Sequence, residues 1–230
     1  MMKPSENAAP PATVPRKLPR DPRRLQLIEA AIEVLAARGP ARMALTDVAQ
    51  AARLPLGLVT VHFKSRDPLL AETLAFMAED YRQTWLAALE AAPSDPASRL
   101  DAMLSAGFTP QACTPSRLAA WCAFRFDAQC RPLYLAECAE GDADHAAQLE
   151  RLVADLIEAG GYRTDPVRTA RVLRATADGI RLDLAVKRDP DPRGEALATL
   201  YACAAAFFPR HFSQAGPIAG GLAQRPGAAG

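Results

Sequence analysis

The stretch that most restricts what this chain can become is Thr46 to Leu70, TDVAQAARLPLGLVTVHFKSRDPLL. Its apolar positions fit two short helices joined by a tight turn, then the opening of a longer helix. Val48, Ala49 and Ala52 recur at helical spacing and form the inward face of the first, with Leu54 as the apolar residue of the turn. Thr46 reads as the N-cap, its hydroxyl accepting a bond from an unpaired N–H of the first turn. Leu56 to Phe63 makes the second helix, with Val59 and Phe63, one turn apart, directed inward. Leu58, Thr60, Val61 and His62 are left on or near the outer side, and Lys64 lies just beyond. A helix this short does not hold itself together in water, so its neighbours must fix it. Held from behind and presenting small and polar residues, it has the shape a DNA major groove accepts.

The residues before it complete a small head. Asp21-Pro22 is a helix entry signal and Gly39-Pro40 a stop, so a helix runs to about Arg38 with Leu27, Ile28, Ala31, Val34 and Leu35 as its buried stripe. Residues 1–22 are polar and rich in proline and read as a disordered arm. Charge is divided along the chain: residues 1–66 carry 11 Lys and Arg against 5 Asp and Glu, whereas the rest is acidic, and the whole chain is only +1. A basic head on an acidic body fits a polyanionic partner for the head alone, although the arm contributes much of the excess. Arg23 and Arg24, at a helix start, are the expected phosphate contacts on this side.

Beyond the head the periodicity stays helical. Asp67 to about Ala91 is one long helix with Leu69, Leu70, Leu74, Met77, Tyr81, Trp85 and Leu89 on one face. At roughly 25 residues it spans about 37 Å, enough to pass from the head into a second domain. Further helices are expected over Pro96–Gly107, Pro115 to about Gln129 and Leu133–Ala159, the last with Gly141 as a candidate break. Two more follow, from Asp165-Pro166 to Lys187 and from Asp189-Pro190 to Phe208. Residues 209–230, dominated by Gly, Ala and Pro, read as a disordered tail. The expected fold is therefore all-α: a helix-turn-helix head over 23–66 joined by a long helix to a helical bundle over 67–208.

The head resembles the DNA-binding segment of the TetR family of bacterial transcriptional regulators. That family's recognition helix and following turn often read like HFKSKEDLL, and this chain has HFKSRDPLL from His62 to Leu70. Ala49, Ala52, Gly57 and Phe63 fall where the family pattern wants small, small, glycine and aromatic residues. Two positions depart from it: Arg53 stands where the turn usually has glycine, and Pro55 where Ser or Thr usually caps the recognition helix. Arg53 implies either a left-handed backbone at a bulky residue or a turn of different shape. WCAFRFDAQCRPLY and ARVLRATADGIRLDL resemble the C-terminal domain of the BetI-like branch more loosely. The resemblance implies a ligand-responsive DNA-binding repressor, with the long helix as the lever between body and head. On this reading Arg23, Arg24, Thr46, Lys64 and Arg66 hold phosphates, while Leu58, Thr60, Val61 and His62 meet the groove.

One short recognition helix touches few bases, so a two-fold pair reading a palindrome is expected. Val167, Ala170, Leu173, Ala177, Ile180 and Leu184, with Leu197, Leu200, Tyr201, Ala204 and Phe208, form the apolar faces through which the last two helices would pair into a homodimer. A small-molecule effector would sit among the helices between residues 85 and 182. Trp85, Met103, Phe108, Trp121, Phe124, Phe126, Asp178 and Arg181 are the candidates for its contacts. The BetI-like branch is associated with choline-type effectors, but a cage for a quaternary ammonium needs converging rings and aromatic residues are only 6% of this chain. That effector is not carried over.

For catalysis the chain offers no HExxH, no GxSxG and no phosphate-cradling glycine loop, so no enzyme, no catalytic residue and no cofactor are expected. Asp142, Asp144 and His145 are read as an acidic, exposed helix start rather than a metal site. Cys122, Cys130 and Cys138, eight residues apart, are read as buried thiols. Without a stretch of about 20 apolar residues no membrane span is expected, and the protein is placed in the cytoplasm. The competing reading is a helical small-molecule-binding protein whose head has lost DNA binding, motivated by Arg53 and Pro55.

Overall fold

The computed structural model describes residues 21–186 and 192–218. The expected arm, apart from its last two residues, and residues 219–230 of the expected tail lie outside them, as do Lys187 and Asp189-Pro190 at the boundaries assigned to the last two helices. The described residues form α1 (Pro22–Arg38), α2 (Leu45–Ala52), α3 (Leu56–His62), α4 (Arg66–Ala91), α5 (Pro96–Ser105), α6 (Pro115–Phe126), α7 (Arg131–Gly160), α8 (Pro166–Val186), α9 (Pro192–Phe207) and a two-strand hairpin, β1 (Phe212–Ser213) with β2 (Gly216–Pro217). No described helix is long and apolar enough to cross a membrane.

Local chemistry sets the boundaries. The Asp21 carboxylate accepts from the Arg23 N–H at 2.9 Å and Pro22 occupies the first turn of α1, which Gly39 closes at φ 74°. The cap of α2 differs from expectation. Ala44 is the N-cap residue, and Asp47 reaches back to accept its N–H at 3.2 Å, so Thr46 lies inside the first turn with its side chain exposed. α6 ends at Phe126, three residues before the expected Gln129, where Asp127 turns the chain by accepting from the Gln129 and Cys130 N–H groups. α7 runs unbroken through Gly141.

The head turn resolves the question posed by Arg53. This residue takes the left-handed conformation, φ 54° and ψ 42°, and closes α2 by donating its N–H to the Gln50 carbonyl. Gln26 of α1 caps the same helix end, donating to the Ala52 carbonyl at 2.8 Å. α3 then starts behind Pro55 with no side-chain cap.

Two apolar cores lie along α4. The first gathers α1, α2, Val59 of α3, Phe63 and the N-terminal half of α4 around Leu27, Ile28, Leu35, Leu69, Leu74 and Met77. It also takes in Ala120 and Phe124 of α6 with Cys130 and Cys138, so the head does not close its core at residue 66. The second joins the far end of α4, Trp85 and Leu89, to α5, α7, α8, α9 and the hairpin. The hairpin corrects the expectation for residues 209–218. Phe212 is fully buried beside Tyr201, and buried His211 shares a hydrogen bond with the Tyr162 hydroxyl at 2.7 Å. Two aromatic rings at the end of α9 give this segment enough apolar surface to dock, despite its composition.

The left-handed backbone at Arg53 makes a stability prediction. It costs a side chain about 1–2 kcal/mol, while glycine surrenders about 0.5–1 kcal/mol in chain entropy. Arg53→Gly is therefore expected to stabilise the protein by up to about 1 kcal/mol, a rise of a few degrees in Tm. A lower melting temperature would mean that the guanidinium makes a contact worth more than the strain.

Candidate nucleic-acid interface and ligand cavity

α3 is held from one side only. Val59 and Phe63 are fully buried, and burying two such side chains stabilises by roughly 1.5–3 kcal/mol each. Val61, by contrast, is 77% exposed and Leu56 43%. Thr60 is exposed, its hydroxyl donating to the Gly57 carbonyl at 2.9 Å, and nothing lies within 4 Å of where a Cβ on Gly57 would stand. The free face of this helix is thus Leu56, Gly57, Thr60 and Val61, with exposed Lys64 at its end. Leu56 and Gly57 were not among the expected groove contacts, although their spacing from Thr60 and Val61 places all four on one side.

The structure reassigns several expected contacts. Arg24 does not project freely. Its guanidinium forms a two-pronged pair with Glu72 of α4, bonds the His62 carbonyl at 3.3 Å and lies over the Phe63 ring at 4.6 Å. It is a brace between α1, the end of α3 and α4. Arg23 is exposed and, among the described residues, its side chain bonds only Gln26, so it remains available to a phosphate. His62 is half-buried with its Nδ1 3.6 Å from Asp21, and Leu58 is half-buried too; neither belongs to the free face. Arg66 keeps part of its guanidinium in solvent, with bonds to Asp67 and the Pro40 carbonyl. Thr46 is exposed at the start of α2, where the helix dipole favours an anion.

In the body, a cavity of about 610 Å³ opens between α4, α6, α7 and α8. Of the expected ligand contacts it takes Trp121, Phe126, Asp178 and Arg181. Met103 and Phe108 are fully packed in the second core and Phe124 in the first, where large apolar side chains on a helix's inner face belong. Trp85 is buried next to the cavity and reaches only adjoining clefts. The polar wall was largely missed: Tyr81, Arg125, Tyr134, His145 and Arg174. A signal for it existed in the sequence. Arg174, Asp178 and Arg181 are spaced four and three apart, which puts three charges on one side of α8.

These groups form a connected network. Asp178 accepts from both Arg181, at 2.8 Å, and Arg125, at 3.2 Å. The Arg181 guanidinium lies over the Tyr81 ring, and Arg125 over Tyr134. Tyr81 shares a hydrogen bond with His145 Nε2 at 3.0 Å, and Tyr134 donates to Asp142 at 2.9 Å. His145 and Asp142 therefore sit in the middle of α7 against the cavity, not at an exposed helix start as expected. At the edge nearest the head, Arg117 of α6 bridges Asp80 of α4 at 2.7 Å and Glu29 of α1 at 2.9 Å. Neighbouring Ser116 bonds Glu33 of α1. Burial raises the thiol pKa of Cys113, Cys122 and Cys130, which keeps them protonated and poorly nucleophilic.

Comparison with known proteins agrees with this geometry. Residues 27–73 match the model of the bacterial regulatory proteins of the TetR family, and residues 96–209 match the C-terminal domain of BetI-type transcriptional repressors. The helix-turn-helix regulator BetI of Paraburkholderia xenovorans is 30% identical, over 72% of this chain and 95% of that protein. The BetI of Agrobacterium fabrum is 34% identical, but the match spans only 46% of this chain and 52% of that relative. Among solved structures, a transcriptional regulator of Saccharomonospora viridis in complex with choline superposes with a TM-score of 0.64 at 19% identity, covering 75% of this chain and 92% of that one.

Burial, with Arg181 and Arg174 nearby, pushes the His145 imidazole down to about 4 from its ordinary 6.5. The unfolded chain takes up this proton first, so stability is lost as pH falls from 6.5 toward 4 and the loss levels off below. His145→Gln preserves a partner for Tyr81. It is expected to reduce the drop in stability between pH 7 and pH 5 by about 1–2 kcal/mol, measured by urea denaturation at both values. An unchanged drop would show that the imidazole is protonated in the fold.

Proposed function

This chain belongs to the TetR family of bacterial transcriptional regulators, with a BetI-type C-terminal domain, and on that premise we propose that it is a homodimeric, effector-released repressor of a palindromic operator. The observation that carries the reading is α3. It is a seven-residue helix anchored by two buried side chains, offering solvent a face of small and apolar groups with a lysine at its end. That face suits insertion into a major groove. Thr60, Val61 and Leu56 carry methyl groups suited to thymine, and with no Arg, Asn or Gln in α3, DNA shape supplies the rest of the discrimination. Arg23, Thr46 and Lys64, with the free part of Arg66, serve the phosphates. The site of action is the cytoplasm.

Dimerisation runs through α8 and α9, but not by the faces the sequence first suggested. Ala170, Leu173 and Ala177 of α8, and Leu200, Ala204 and Phe208 at the end of α9, are spent on the protomer's own core. The opposite side of α8 carries Val172, Ala175, Gly179, Leu182 and Val186, all exposed and spaced by three or four residues. α9 adds exposed Ala198, Ala202 and Ala206. Small side chains on both helices favour close approach in a four-helix interface. Effector binding in the cavity would bias the dimer toward a head spacing that misfits the operator.

A gel shift at moderate salt with the DNA upstream of the protein's own gene tests the reading. A retarded complex supports it, and indifference to DNA at low ionic strength favours a ligand-binding protein with a disused head. Lys64→Ala is expected to weaken binding to all sequences and to lower the slope of log K against log salt by about 1. An unaltered slope removes Lys64 from the interface. The double variant Val172→Glu/Val186→Glu is expected to sediment as a monomer and to lose most operator affinity, since each head alone reads only a half-site. A dimer that persists would place the interface elsewhere.

A further inference from the structure

The cavity read above as the effector site has a charge pattern that narrows its ligand, and the inference rests on that reading. Three arginines converge at its α8 wall around one carboxylate: Asp178 already serves Arg125 and Arg181. Arg174 also lines the cavity, is half-buried and has no carboxylate within ion-pairing distance among the described residues. Asp142 faces the same space near Arg125, and Asp80 pairs with Arg117, so one positive charge is left unbalanced in a place partly withdrawn from water, where a counter-charge is worth most. A quaternary ammonium would meet like charge here. Both tyrosine rings that line the cavity are taken as well: the Arg181 guanidinium lies 5.4 Å from the Tyr81 ring centre and the Arg125 guanidinium 5.8 Å from that of Tyr134. The protein's own cations occupy these two rings, which leaves Trp121 and Phe126 as the aromatic lining.

Part of the remaining lining is apolar. Leu118, Trp121, Phe126 and Leu182 face the same space, and Phe126 is left 65% exposed. We propose that the ligand of this cavity is an organic anion, a carboxylate on an apolar body, with Arg174 as its main counter-ion and Arg125 completing the grip. Arginine matches a carboxylate with two parallel N–H donors, which fixes the head group and leaves the tail against Trp121 and Phe126.

Three ligands with the same eight-carbon chain test this: octanoate, octanol and octyltrimethylammonium, titrated into the full chain while tryptophan fluorescence reports on Trp121. Octanoate is expected to bind saturably and most tightly, octanol more weakly, and octyltrimethylammonium not at all. Arg174→Gln, which breaks no ion pair among the described residues, is expected to weaken octanoate roughly tenfold or more and leave octanol unchanged. Tighter binding of the ammonium, absence of octanoate binding, or indifference of octanoate to Arg174→Gln would overturn the proposal. The ranking on the unaltered protein decides the matter even if the variant fails to fold. Operator release, followed in parallel, separates the two claims. Arg174-dependent octanoate binding without DNA release keeps the anion assignment and removes the effector reading; release by the ammonium does the reverse.

Discussion

The orientation of α3 depends on contacts it does not itself contain. Seven residues supply too few internal hydrogen bonds to offset the entropy of ordering them. The helix axis is therefore inherited from Val59 and Phe63, sunk in the core, and from Arg24 clamped over Phe63 and onto Glu72. Arg24 ties three helices at one point. Because Glu72 lies on α4, the reading helix is fastened to the same long helix whose other half belongs to the body's core. A movement of α4 reaches α3 through Arg24, while α2 packs directly against α3 and shares the core that holds Val59.

The head was legible in the sequence because its pattern is dense. Small residues at 49 and 52, an aromatic at 63 and the turn between them leave few alternatives. What failed there was discrimination between neighbours. Arg23 and Arg24 look alike in one dimension, yet a 100° step around α1 sends one to solvent and the other onto Phe63. Thr46 looked like a cap because threonine often is one, whereas Asp47 does the work by reaching back to Ala44.

The body was legible as helices but not as surfaces. α8 is apolar on two sides, and periodicity says nothing about which side meets the protomer's own core. Leu173 and Ala177 were assigned outward, and the packing of α7 and α9 takes them inward, leaving Val172 and Val186 outside. The cavity was misjudged for a related reason. Searching for aromatic and apolar side chains finds Met103, Phe108 and Phe124, the residues most completely consumed by packing. A cavity wall is better announced by a charge that interrupts an apolar stripe, as Arg174, Asp178 and Arg181 do on α8.

On the proposed reading, a signal from the cavity would have a second physical route beside the lever of α4. Arg117 lines the cavity and holds both Asp80 on α4 and Glu29 on α1, while the α6 residues Ala120 and Phe124 are buried in the head's core. A ligand that shifts α6 by a fraction of an ångström therefore has to do one of two things. It can break the Arg117 bridges and open the packing around Phe124, or it can carry α1 along. Close-packed cores resist the first, since even one displaced side chain leaves a void that costs stability. Carrying α1 turns Arg24, and Arg24 turns the end of α3. The head and the body are in this sense one mechanical unit. The boundary at residue 66 marks a change in the sequence pattern, but the apolar contacts run straight across it.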